Sequence, residues 1–313
     1  MSNSESHAGE NQTVSGVFIL VGFSYLGELQ ILLYLVFLPS YLFALMGNLI
    51  ITLLIKLNPS LHTPMYFFLV NLSVSGICFI TSVIPQLLVH LLVEEAQFFV
   101  LNLAGLTGCC LLAVMAYDRY VAICRPLHYA TILSGQVCAW LAGASWLIGI
   151  LSAGAQTTQL FSLPFCGSHR IHHYFCTAQG LHKMLCSNPW KNMIFSFVVL
   201  VLFVMGPFLL ILLSYVCIIS TILKLSTVEG RRKAFSTCSS HLTVVALLYG
   251  SAFVSHLKPA SSSNPEHDQL SFLVYTVVTP VLNPIIYTLR NKEVKAAFRN
   301  TVGKAKFPRS WRY

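Results

Sequence analysis

The residues with the most obvious chemical capacity are clustered. His169, His172, His173 and His182 share one stretch with Cys166, Cys176 and Cys186, and imidazole with thiolate is the donor set of zinc and copper sites. Their spacing matches no standard zinc template, and sulfur tied up in a disulfide is a poor ligand. We therefore read them as solvated loop histidines and expect no metal. No nucleophile stands beside a base, no glycine loop is shaped for phosphate, and no metalloprotease pattern occurs. The expectation is a chain that performs no catalysis and needs no cofactor. What stands out instead is charge in an unusual place. Asp118 and Arg119 are neighbours at the end of a long apolar run. An arginine held by a carboxylate where water is scarce is a switchable restraint; a solvated pair at the membrane edge is the alternative that the two residues alone leave open.

The elements that must position this pair follow from composition. Of 313 residues, 56% are hydrophobic and 9% charged, whereas a soluble domain carries roughly 25% charged residues. So little charge cannot build a water-facing surface, and a helix of about 20 apolar residues crosses a bilayer. A transmembrane barrel would alternate in polarity over segments of about 10 residues, and residues 194–222 do not alternate. We read an all-α, seven-transmembrane helix bundle with spans at 29–55, 64–92, 96–124, 137–160, 192–223, 235–256 and 269–289. It forms one domain over residues 1–313: an extracellular N-terminus at 1–28, the bundle at 29–289 and a cytoplasmic tail at 290–313. Connections are short, without linker, repeat or low-complexity tract.

Basic residues set the orientation, because Lys and Arg collect on the cytoplasmic side. With the N-terminus outside, all of the 19 except Arg170, Lys183, Lys191 and Lys258 fall inside. The net charge of +9 is thereby explained by a cytoplasmic face near anionic lipid, and no nucleic-acid partner is expected. No cleaved signal peptide is indicated at the polar start of the chain. Asn11-Gln12-Thr13 fits the glycosylation acceptor pattern on the luminal side. Residues 292–300 should lie along the inner leaflet as a short basic helix, with no palmitoyl anchor, since no cysteine follows the seventh span.

Several blocks bring a family into view. They are Gly47-Asn48, LHTPMYFFL at 61–69, MAYDRYVAIC at 115–124, Ser214-Tyr215, KAFSTCSSHL at 233–242 and PVLNPIIYTLRNKEV at 280–294. Together, in order and at matching membrane depths, they resemble the olfactory receptors of the tetrapod type, within the rhodopsin-like G-protein-coupled receptors. The resemblance implies a plasma-membrane receptor that binds a small volatile odorant and activates a heterotrimeric G protein of the stimulatory, cyclic-AMP-raising type. It implies that Asp118, Arg119 and Tyr120 form the inactive-state latch and G-protein contact, and that Tyr215 and Tyr287 close around Arg119 on activation. Lys233 begins the helix that swings outward, and Asn283 with Pro284 is similar to the hinge of the seventh helix. Pro207, Pro280 and Pro284 each remove a backbone donor and so kink their spans. The implied pocket lies in the outer half, lined by Leu101, Asn102, Gly105, Leu106 and Cys109, by Val199 and Phe203, by Tyr249, Ala252, Phe253 and His256, and by Leu273 and Thr276. Taken singly, each is more readily read as core. None is charged, so a neutral ligand is favoured, with Asn102, Tyr249, His256 and Thr276 available to orient one polar group.

The sequence also departs from the family pattern. The resemblance pairs Cys166 with Cys186, and would pair Cys176 with a cysteine at the outer end of the third helix. Glu94 stands at that position, and the connection between spans two and three looks about ten residues short by the family pattern. Cys176 is left with a free thiol, a rearranged bridge or misfolding as the open outcomes. Impaired folding or signalling is therefore a competing reading. Gly76 and Gly108 stand where the family carries acids, so no sodium-type site is expected. A channel or transporter would need polar groups along a transmembrane path, and the loss of both acids argues against it. The remaining cysteines, Cys78, Cys109, Cys110, Cys124, Cys138, Cys217 and Cys238, are read as small apolar packers.

Overall fold

The computed structural model describes residues 18–20, 29–89, 92–93, 95–163, 170–171, 190–224, 226–256, 279–289 and 292–306. The long apolar stretches form helices: α1 (Leu29–Leu57), α2 (Pro64–Val89), α3 (Glu95–Cys124), a single turn α4 (Tyr129–Ile132) and α5 (Gly135–Phe161). The fifth span is α6 (Trp190–Leu200), a π-helical stretch (Val201–Met205) and α7 (Gly206–Leu223). They are followed by α8 (Val228–His256), α9 (Thr279–Leu289) and α10 (Lys292–Lys306). Starts and interruptions have local causes. Pro64 opens α2, where a missing N–H costs nothing, and the Ser134 side chain caps α5 by accepting from the Val137 amide. Pro207 at the start of α7 cannot donate to the preceding turn, and the π-helical widening lies immediately before it.

Three short strands accompany the helices. β1 (Phe18–Leu20) pairs antiparallel with β2 (Leu92–Val93), Phe18 opposite Val93, and parallel with β3 (Arg170–Ile171), Ile19 opposite Arg170. The expectation that span two runs to residue 92 is thereby corrected: α2 ends at Val89, and Leu92 and Val93 belong to a strand. The small sheet gathers the segment before α1, the α2–α3 connection and the α5–α6 connection at one end of the bundle. Span six also begins earlier than expected, at Val228.

α3 is the central rod, packed against α2, α5, α7 and α8. Its core meets its neighbours through Leu111, Leu112, Met115 and Ala116, with Tyr66, Leu69, Ile211, Ile218 and Val244 around them. Close approach depends on small residues at α5. A Cβ at Gly149 would collide with Thr107 Oγ1 and come within 3.1 Å of the Leu103 carbonyl. Polar side chains face inward: Asn48, Ser73, Ser75, Thr107, Asp118, Ser145, Ser152 and His241 are buried, while Leu35, Leu53, Trp140, Leu151, Phe197, Leu213 and Val216 are exposed. That distribution is inverted relative to a water-soluble protein and fits a hydrocarbon solvent. Among the described residues, five helices are long and apolar enough to cross a membrane, those at Leu35–Leu57, Pro64–Pro85, Glu95–Cys124, Gly135–Phe161 and Trp190–Leu223.

Candidate functional site

At the end of the bundle opposite the sheet, Asp118 is almost fully buried and accepts a 2.7 Å hydrogen bond from the Tyr129 hydroxyl. Tyr129 sits on the one-turn helix α4, which the 3-10 turn Pro126–His128 swings back against α3. Burial, reinforced by the adjacent carboxylate, pushes the Tyr129 hydroxyl well above its ordinary range, so the phenol remains a donor. Arg119 is half-buried beside it, and the rings of Tyr117 and Tyr120 stack at 6.3 Å. The Asp118 carboxylate is thus held by a phenol that sequence reading missed.

Tyr215 is buried at the same level, and its hydroxyl lies 2.9 Å from His241 Nδ1. The other ring nitrogen, Nε2, lies 3.1 Å from the Leu112 carbonyl. A carbonyl only accepts, so Nε2 carries the proton, Nδ1 accepts, and Tyr215 donates. One continuous chain therefore links α7, α8 and α3. The two rings lie nearly parallel with centroids 5.8 Å apart. His241 lies inside the block at 233–242 but had been given no role there. The Lys233 and Tyr287 side chains lie outside the described residues, although their backbones are helical.

A further tie joins α2 to α10. Tyr66 Oη donates to Glu293 Oε2 at 2.7 Å, and Asn58 Nδ2 to Thr301 Oγ1 at 3.3 Å. Val294 and Ala297 are buried beneath α10, whose basic face carries Lys295 and Arg299 outward.

Halfway through the bundle, a cavity of about 10 Å³ lies between α1, α2 and α9 against Asn48, Ser73, Gly76 and Asn283. Asn48 Nδ2 bonds back to the Ala44 carbonyl at 2.8 Å, and Asn283 Oδ1 is buried with no partner among the described residues. A Cβ on Gly76 would stand 3.7 Å from Asn48 Oδ1, and one on Gly108 3.7 Å from Ser75 Oγ. Pro284 packs so closely on Gly47 that a Cβ there would meet its ring at 2.8 Å.

In the opposite half, the expected pocket residues on α3, α6, α7 and α8 converge in part. Cys109 and Tyr249 are both buried in the same core cluster. Phe208 stacks on Tyr249 at 4.8 Å and meets Phe253 edge-on at 5.4 Å. Phe208 was not among the expected residues, and its position after Pro207 turns it inward. Asn102 Nδ2 bonds to the Phe98 carbonyl at 2.8 Å. Leu106 and Val199 are buried, and Leu101, Gly105 and Phe203 are half-buried. The Ala252 and His256 side chains, Leu273 and Thr276, Asn11, and Cys166, Cys176 and Cys186 lie outside the described residues, as do the four loop histidines. Among the described residues no group of metal-holding side chains occurs.

This architecture is shared. Squid rhodopsin superposes with a TM-score of 0.66 at 18% identity, covering 85% of this chain and 83% of that one. The profile of the family described as olfactory receptor matches residues 37–304. The chain belongs to the olfactory receptor family. Human olfactory receptor 10A3 is 48% identical over 91% of this chain and 94% of its own length. Human olfactory receptor 10R2 is 46% identical over 94% of this chain and 91% of its own. The receptor is therefore a multi-pass membrane protein of the rhodopsin-like, G-protein-coupled class, a signal transducer and not an enzyme. Its buried Asp118, Tyr215 and His241 lie at one end and the Phe208–Tyr249 ring contact towards the other.

Proposed function

We propose that this receptor binds small, neutral volatile molecules in the half of the bundle nearer the sheet and activates a stimulatory heterotrimeric G protein that raises cyclic AMP. The observation that carries the ligand class is the described lining on α3, α6, the π-helical stretch and α8: Leu101, Asn102, Leu106, Cys109, Val199, Phe203, Tyr249 and Phe253 include no charged side chain. A permanently charged ligand would enter without a counter-ion. The Asn102 nitrogen is already engaged with the Phe98 carbonyl, so its oxygen is the better-placed group for a ligand hydroxyl. The N-terminus is outside and the basic end of α8 with α10 faces the cytosol. Binding shifts the equilibrium towards displacement of α8 only by the ligand's differential affinity for that state. The contact of Tyr249 with Phe208 lies where such a shift begins. Asn283 and Pro284 serve as the hinge, Tyr215 and Tyr287 close around Arg119 on activation, and Asp118, Arg119, Tyr120 and Lys233 form the G-protein end. With Gly76 and Gly108 in place of acids, no sodium-type site forms.

Cyclic-AMP output from cells challenged with neutral odorants tests this. Responses to alcohols, aldehydes, ketones or esters are expected, with Asn102→Ala weakening those to alcohols by about tenfold, the scale of one hydrogen bond. Unchanged alcohol responses in Asn102→Ala would remove that residue from the site. The short α2–α3 connection, residues 90–94, favours one further reading, a receptor that folds or signals poorly. Lengthening that connection and restoring its cysteine would then raise surface delivery.

A further inference from the structure

A second polar recess lies away from the α3–α7–α8 lining. Between α3, α5 and α6 a cavity of about 10 Å³ is bordered by Phe98, Gln156, Gln159, Asn192, Phe195 and Ser196. That is room for one water-sized group. Gln159 Nε2 donates to Asn192 Oδ1 at 2.8 Å, which fixes how the Asn192 amide is turned. Asn192 is only 7% exposed, yet its Nδ2 has no hydrogen-bond partner among the described residues. Buried side-chain polar atoms are nearly always paired, so this donor points to an absent acceptor. The walls beside it are apolar and fixed: Phe98 is buried and packs edge-on against Phe161 at 5.9 Å. Among the described residues no charged side chain borders the recess. Gln156 and Ser196, half-buried, can each present a donor or an acceptor. A fixed preference therefore comes from Asn192, whose orientation Gln159 holds.

We propose that Asn192 Nδ2 is the recognition group of a ligand subsite between α3, α5 and α6, which admits the carbonyl oxygen of a neutral ketone, aldehyde or ester while the hydrocarbon stays outside the recess against half-buried Phe195. The subsite rests on the odorant-receptor reading above and gives it a functional-group preference. A site built to hydrogen-bond one group discriminates strongly against analogues that lack it. Asn192 is the third residue of α6, and the side chains that border the recess among the described residues are neutral, so selection is by hydrogen bonding and not by charge.

The test uses the full-length receptor in lipid nanodiscs with 2-octanone, 1-octanol and octane as probes, read by thermal midpoint. In the wild type, 2-octanone should raise the midpoint beyond octane. Asn192→Asp still accepts from Gln159 but has no donor, so its apparent affinity for 2-octanone should fall at least tenfold while 1-octanol is retained. Asn192→Leu should treat all three probes alike. An equal response of the wild type to ketone and hydrocarbon, or an Asn192→Asp receptor that keeps the ketone preference, overturns the subsite and leaves the odorant reading standing. A wild type shifted by none of the three overturns both. Infrared spectra of bound 2-octanone on the wild type decide the matter without any variant: a lowered carbonyl stretch is expected, and an unshifted band, with water alone in the recess, contradicts the proposal.

Discussion

Two buried hydrogen-bonded units hold the end of the bundle where α4 packs. Tyr215, His241 and the Leu112 carbonyl form one, and Asp118 with Tyr129 the other. Removing one member of a buried pair exposes the other to the full cost of desolvation, about 1–3 kcal/mol. Tyr215→Phe and His241→Leu should therefore each lower unfolding stability, and the double variant should lose less than their sum, with a coupling of about 1 kcal/mol. Denaturant titration of the four proteins in detergent measures this, and additive losses would show that the pair does not interact. The Tyr129 hydroxyl is raised by burial and by Asp118. For a group whose folded value is raised, the stabilisation is complete below the ordinary phenol range near pH 10 and is lost only as pH climbs through the folded value. The Tyr129 hydroxyl itself therefore does not titrate between about pH 6 and 8. Ultraviolet difference titration against Tyr129→Phe checks this, and phenolate absorbance from Tyr129 in that window would contradict it. Asp118, Arg119 and Tyr215 were legible because charge and motif mark them. Tyr129 and His241 were not, since nothing in their spacing states that the turn after Pro126 folds back or that the α8 face carrying His241 points at α3.

Helix packing carries its own expectations. α3 and α5 approach so closely at Gly149 that a Cβ there overlaps Thr107 and the Leu103 backbone, and backbone cannot yield as a flexible side chain can. Gly149→Val should lower surface delivery severely, whereas Gly143→Ala, where a Cβ meets nothing within 4 Å, should leave it unchanged; antibody labelling of intact cells compares them. At the other end of the chain, Tyr66→Phe removes one anchor of α10, and amide exchange in 292–306 should quicken by about fivefold, the scale of 1 kcal/mol. The spans themselves were readable from apolar length, with boundaries among the described residues mostly within a few residues; the expected start of the seventh, at 269, lies outside them. The exceptions have causes. α8 extends seven residues before the expected start because Arg231, Arg232 and Lys233 continue the helix beyond the apolar run. β1 is three residues long, too short for any period to register. The π-helical stretch follows from Pro207, which was recognised as a kink but not as the source of a changed hydrogen-bond pattern.

At the scale of the whole molecule, an apolar exterior around a polar-studded interior requires a bilayer, and the bundle then has two chemically different ends. One gathers three strands and the recesses lined by neutral side chains; the other holds Asp118, Tyr215, His241 and the basic faces of α8 and α10. Sequence reading reached this arrangement because charge distribution and apolar length are properties of the chain, whereas the pocket depends on side-chain directions that a π-helical turn and Phe208 determine. The central claim is that a neutral ligand at the first end drives nucleotide exchange at the second. The most direct measurement is GTP-analogue uptake by a purified stimulatory heterotrimer mixed with this receptor in nanodiscs, with and without a panel of neutral volatiles. Uptake should rise with at least one volatile and fall to the unliganded level in Arg119→Ala. Ligand binding without any rise in uptake, or a rise undiminished in Arg119→Ala, would contradict the account.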